Sequence, residues 1–163
     1  MLEVIRTLYA YNAWANARIL DTAEGLRLHD FISQHNGAGS IREILVHTAS
    51  AQWMWLERCQ GSSPRAMWNP GDFPYVATLR ARWAEVEEAT QRYLAKLQES
   101  ELDRDVTYVS FRGETRTYPL WNALLHQANH ATQHRSEAAL LMTECGHSPG
   151  DLDLIVYFAQ SAR

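Results

Sequence analysis

At 163 residues the chain is long enough to bury a core without disulfide support, and its length predicts one domain spanning 1–163. Its 46% apolar and 21% charged residues are those of an ordinary globular protein. A net charge of −4 and a pI near 5.9 argue against a general nucleic-acid binder, because phosphate binding relies on fields of Lys and Arg.

The two cysteines, Cys59 and Cys145, are too few for a disulfide scaffold and form no CxxC, so both read as free thiols in a reducing compartment. The opening MLEVIRTLYAYNAWANARIL has neither the basic n-region nor the long apolar h-region of a signal peptide. No stretch approaches ~18 uninterrupted apolar residues, so no membrane span is predicted. The expectation is a cytoplasmic protein that binds neither nucleic acid nor membrane.

The first helix is predicted from about Leu2 to Glu24, with Ile5, Leu8, Asn12, Ala15, Ile19 and Ala23 at helical spacing and Gly25 as its stop. A loop follows through HNGAGS. The second helix starts near Ser40, where Ser40-Ile41-Arg42-Glu43 has the form of a capping box, and ends at Gly61. Its buried stripe would be Ile44, His47/Thr48, Ala51 and Trp55. After the Pro- and Gly-containing segment SSPRAMWNPGDFP, a third, plainly amphipathic helix is predicted over Tyr75–Glu99.

Residues 106–118, VTYVSFRGETRTY, are β-branched and aromatic with Gly113 in mid-run, and read as a short hairpin or extended crossover. Pro119 suits the first turn of a fourth helix, which Gly146 ends. A last short helix from Leu152 is possible in the tail. The predicted fold is all-α: a four-helix bundle with a long crossover or short hairpin between the third and fourth helices. Bundles of this kind build metal sites from side chains on facing helices.

Of seven histidines, three lie in the fourth helix at four-residue spacing: His126, His130 and His134. A lone histidine on a helix face is usually just a hydrogen-bonded residue, but the grouping changes that. Neighbours four apart lie ~6 Å apart along the axis and can share an ion, whereas the ends of the stripe are ~12 Å apart and cannot. Spacing alone allows His126 with His130 as readily as His130 with His134. A third ligand must come from elsewhere, and His47, on the likely buried stripe of the second helix, is the other histidine well inside a helix. His29, His35 and His147 are expected to be exposed. Three imidazoles leave a coordination position open, the pattern of a catalytic rather than a closed structural site. HExxH, a P-loop, GxGxxG and GxSxG are all absent.

YNAWANARIL at 11–20, IREILVHTASAQWMWL at 41–56, LLHQANHATQHRSEAALLM at 124–142 and SPGDLDLIVYF at 148–158 together resemble the DinB-like family of metal-binding four-helix bundles. The resemblance spans nearly the whole chain. It implies a divalent metal, most often nickel or zinc, held by His47, His130 and His134, with His126 one turn before the site. Where the family often reads His-Arg-Gly-Gln, this chain has His134-Arg135-Ser136-Glu137. Glu137 is thereby open to three roles: an acceptor for an imidazole N–H, a proton acceptor, or an extra ligand. The resemblance also implies transfer of a low-molecular-weight thiol (bacillithiol, mycothiol or glutathione) to an electrophilic small molecule, or a thiol-dependent isomerisation. A homodimer is the expected assembly. The alternative reading is a non-catalytic metal-binding or stress-related dimeric bundle, and neither reading names a catalytic residue.

Asn12 interrupts an apolar stripe and is expected to be buried, tying helices together or orienting a site residue; Asn129 is similar. Among the six tryptophans, Trp53 and Trp55 cannot share one helix face, so one of them is expected at a pocket, surface or interface, and Trp68 in the long loop is a candidate lid.

Overall fold

Long helices form where the sequence carries helical apolar periodicity. The computed structural model describes residues 1–35, 37 and 39–161. Asn36 and Ala38, in the expected loop through 35–40, and residues 162 and 163, at the end of the expected domain, lie outside the described residues. The four long helices are α1 (Leu2–Glu24), α3 (Ile41–Cys59), α4 (Val76–Lys96) and α5 (Leu120–Glu144). Two short ones, α2 (Leu28–Ile32) and α6 (Leu154–Ser161), add to them. The chain is thus mostly helical as expected, with more than four helices. α2 escapes a periodicity argument because LHDFI makes little more than one turn.

Helix ends follow local chemistry. Ser40 Oγ accepts from the Glu43 amide at 3.1 Å and Glu43 Oε2 accepts from the Ser40 amide at 2.7 Å, the reciprocal capping box at the start of α3. Gly39 precedes it at φ +79°, and a Cβ there would stand 2.9 Å from Glu43 Oε2, so only glycine leaves the box room. At the far end of α5, Gly146 has φ +84°, the Gly146 amide donates to Thr143 O and the His147 amide donates to Met142 O, a Schellman stop. Pro119 sits one position earlier than expected, capping α5 rather than opening its first turn.

The crossover is a hairpin. β1 (Asp105–Val109) pairs antiparallel with β2 (Thr115–Pro119), with Val106 opposite Tyr118 and Tyr108 opposite Arg116. Because strand side chains alternate between faces, these four residues share one face of the ribbon, while Thr107 and Thr117 pair on the other.

α3 packs along α5 and α4, and α1 packs along the same two helices. The apolar core divides in two. One cluster joins Ile19, Phe31, Leu45, Leu79, Trp83 and Met142; the other joins Ile5, Tyr9, Trp55, Leu94, Val106, Leu120 and Leu124. Between them lies a polar cross-section. In it the Gln52 amide is fully engaged: Trp83 Nε1 donates to its Oε1 at 2.9 Å, and its Nε2 donates to Glu87 at 2.8 Å and Thr90 at 3.3 Å.

The capping box gives a direct stability test. Ser40→Ala removes a buried acceptor and is expected to cost about 1 kcal/mol. For a domain of this size that lowers Tm by roughly 2–4 °C, read by thermal unfolding.

Candidate metal centre

Nothing between Pro119 and Gly146 breaks α5, so His126, His130 and His134 stand in one row. Ring centroids are 5.6 Å apart between His126 and His130 and 4.4 Å apart between His130 and His134. α3 brings His47 against the row, 5.1 Å from His130 and 4.6 Å from His134. Each of His47, His130 and His134 offers one nitrogen within 4.8 Å of the others. His126 stands apart from this group and turns its ring onto Trp55 at 4.9 Å.

The donor set and its spacing fit a metal ion. Two imidazole nitrogens bound to a tetrahedral zinc-like ion at about 2.0–2.1 Å lie about 3.3–3.4 Å from each other. His47 Nε2 and His130 Nε2 are 3.3 Å apart. His130 Nδ1 is buried without a hydrogen-bond partner, so this ring has no polar anchor on its own protein side beyond the shared Nε2 position.

Burial also readies the rings. It pushes His130 down to about 4, helped by the charges of His134, His47 and His126. Burial lowers His47 as well, with His134 adding to it and Glu137 opposing. Both rings are therefore neutral near pH 7, the form that ligates metal.

Glu137, one turn beyond His134, accepts from His134 Nδ1 at 2.6 Å, and the Gln133 amide donates to it at 3.3 Å. Burial raises the Glu137 carboxyl, but the hydrogen bonds from His134 and Gln133 outweigh it and the net shift is downward. A carboxylate on Nδ1 fixes the tautomer that leaves Nε2 free to face His47, a common arrangement behind metal-bound histidines. Of the three roles open to Glu137, this contact matches the first.

A half-open cleft of about 370 Å³ adjoins the row at His126 and is lined by Trp55, Tyr108, Arg116, Tyr118 and Asn122. Sequence reasoning missed it. Its signal was the alternation in 106–118, which puts Tyr108, Arg116 and Tyr118 on one face once the hairpin register is known. Of the two tryptophans that cannot share a face, Trp55 belongs to the cleft and Trp53 packs on Trp68 at 5.7 Å.

Other expectations need correction. Trp68 is no lid: its ring lies between Trp53 and Phe73, and its amide donates to Ser50 Oγ at 2.9 Å. His29 is exposed as expected, but His35 and His147 are half-buried, because His35 pairs with Gly39 in a β-bridge and His147 closes the Schellman stop beside Gly25. Asn12 is buried with both amide atoms unpaired and bonds none of the histidines, and Asn129 is exposed. Cys59 and Cys145 are free; burial pushes the Cys59 thiol up to about 12 and raises Cys145 too.

A mostly helical bundle with three converging histidines able to hold a divalent ion defines a class of metal-binding helical proteins. The chain belongs to the DinB family, whose model matches residues 1–162. Among solved structures it is similar to the crystal structure of a conserved protein from Enterococcus faecalis, at 15% identity and a TM-score of 0.67 over 85% of this chain and 95% of that one. At that identity the likeness concerns the fold alone. No curated protein matches. No helix among the described residues is long and apolar enough to cross a membrane.

Removing the carboxylate behind His134 tests its positioning role. Glu137→Ala is expected to weaken metal binding by about 10- to 100-fold. His126→Ala is expected to leave the metal content of the purified protein unchanged. Competition with a chromophoric chelator measures the first, elemental analysis the second.

Proposed function

We propose that this protein is a metal-dependent enzyme that transfers a low-molecular-weight thiol (bacillithiol, mycothiol or glutathione) to an electrophilic small molecule, using nickel or zinc held by His47, His130 and His134. The observation that carries this reading is the meeting of three imidazoles from two helices beside a half-open cleft. A divalent ion so held lowers the pKa of a thiol or water placed on it and supplies a nucleophile near neutral pH.

The chain's own residues have distinct parts. Burial keeps His47 and His130 unprotonated, so their lone pairs are available. Glu137 holds His134 in the tautomer that presents Nε2. Neither cysteine yields a thiolate near neutral pH, so the nucleophilic thiol comes from outside the chain. The cleft beside His126 has room for the electrophile, and its aromatic walls exclude water from one side of it. A closed, saturated metal site would have no use for such an opening, which favours catalysis over a purely structural or sensing role.

Two measurements test the reading. His47→Ala, His130→Ala and His134→Ala are each expected to purify without stoichiometric metal; unchanged metal content in His130→Ala and His134→Ala refutes the ligand assignment. In cobalt- or nickel-substituted protein, adding a low-molecular-weight thiol is expected to produce a new absorption band. A spectrum that no thiol alters refutes the thiol part.

A further inference from the structure

The cleft beside the histidine row has chemistry of its own. Trp55, Tyr108 and Tyr118 supply its flat walls, with Trp55 edge-on to Tyr108 at 5.4 Å and Tyr108 tilted against Tyr118 at 6.4 Å. Two arginines serve it. Arg116 lines it from β2; its Nε and one terminal nitrogen donate to Glu114, which leaves the other terminal nitrogen for a ligand.

Arg58 is the more telling of the two. Its residue is only 5% exposed, yet its side chain donates no hydrogen bond to any described residue, and no carboxylate among the described residues lies within ion-pair distance. Its guanidinium rests on the rings of Tyr108 at 4.0 Å and Trp55 at 4.7 Å, two walls of the cleft. Its Nε is buried without a partner and the cation has no counter-charge among the described residues, so its field through the two ring walls favours an anion in the cleft. In a chain of net charge −4, Arg116 in the lining and Arg58 against the Trp55 and Tyr108 rings, with Glu114 paired to Arg116, make this cleft a local positive site.

We propose that the cleft is a recognition subsite for the carboxylate of a planar, conjugated acid, whose flat body stacks on Trp55, Tyr108 and Tyr118 while Arg116 meets its charge and Arg58 adds its field from against the ring walls. This rests on the reading of the histidine group as the reaction centre. With its carboxylate at the hairpin, the far end of such a ligand reaches His126, whose ring is 5.6 Å from that of His130. The two arginines then select acids and orient their electrophilic end toward the histidines. Flat walls favour a conjugated acid over the flexible aliphatic carboxylates of a thiol such as glutathione.

The test uses the full chain, as purified and after chelator treatment, with trans-cinnamate, cinnamamide and reduced glutathione as probes. Titration calorimetry and saturation-transfer NMR report binding. Cinnamate is expected to bind with and without metal, and cinnamamide about tenfold more weakly or less, the loss of one charge-assisted contact. Arg116→Gln, a change at an exposed side chain, is expected to weaken cinnamate about tenfold and leave cinnamamide unchanged. Arg58→Met is expected to act in the same direction; should it fail to fold, Arg116→Gln and the amide comparison still decide.

Equal affinity for acid and amide, or an unaltered affinity in Arg116→Gln, overturns the proposal. So does loss of cinnamate binding on chelation, which would put the carboxylate on the metal. Glutathione binding more tightly than cinnamate at this cleft overturns the planar-acid assignment in favour of the thiol's own carboxylates. If His130→Ala and His134→Ala keep their metal while cinnamate binding persists, the metal assignment falls and the subsite stands.

Discussion

Three imidazoles share one small, half-buried space between α3 and α5, which cannot hold two of them charged. Two imidazolium charges about 5 Å apart repel by roughly 3 kcal/mol at an effective dielectric near 20, and a third ring compounds it. Centroid distances of 4.4–5.1 Å therefore disfavour a second charged ring. Burial meets that constraint at His130, which it holds down to about 4. Along α5 the two apolar clusters part at this point, Ala128 belonging to one and Ala138 to the other, with His130 and His134 between them.

That placement needs its helices fixed in rotation, and residues beside the ligands do this. Successive positions on a helix turn by about 100°. His134 faces α3, so the next residue, Arg135, faces α1. It is almost wholly buried there, donating to Asn16 Oδ1 at 3.1 Å and Thr132 Oγ1 at 2.9 Å, with its guanidinium 5.1 Å from the Tyr11 ring. A guanidinium locked against α1 leaves α5 little freedom to roll, and His130 and His134 stay turned toward His47. On the opposite side, Gln52 ties α3 to α4 through Trp83, Glu87 and Thr90, which holds α3 in turn. The tryptophan-asparagine string of α1 thus matters to the site through Tyr11 and Asn16, two contacts removed from any ligand.

The helices and the histidine row were legible because they depend on local spacing. Ser40 with Glu43, Gly146, and the run of apolar positions each carry their structural meaning within a few residues. The choice between His126 and His134 as partner of His130 was not legible from spacing. It depends on where α3 lies against α5, a contact 83 positions apart in sequence. The cleft was less legible still. Tyr108 and Arg116 meet only through the hairpin register, and Arg58 looks like any charged residue near a helix C-terminus until packing buries it. Trp68 misled for the same reason: a loop tryptophan looks available until Trp53 and Phe73 enclose it.

His126 gains its meaning from that geometry. As the first of three residues on one helix row, it repeats the spacing of His130 and His134 yet has no helix-borne histidine opposite; Trp55 stands there instead, seven residues after Thr48 and eight after His47 on α3. The row therefore runs from the His47–His130–His134 group into the cleft, where His126 forms part of the lining. Burial lowers its pKa and the charge of Arg58 lowers it further, so the ring meets a ligand uncharged, able to donate or accept one hydrogen bond. A neutral imidazole at this junction leaves the arginines as the only cationic groups in the cleft lining or against its walls, which keeps the attraction for an anion at the hairpin end rather than beside the histidines. Charge thus sits at one end of the cleft and the histidine row at the other.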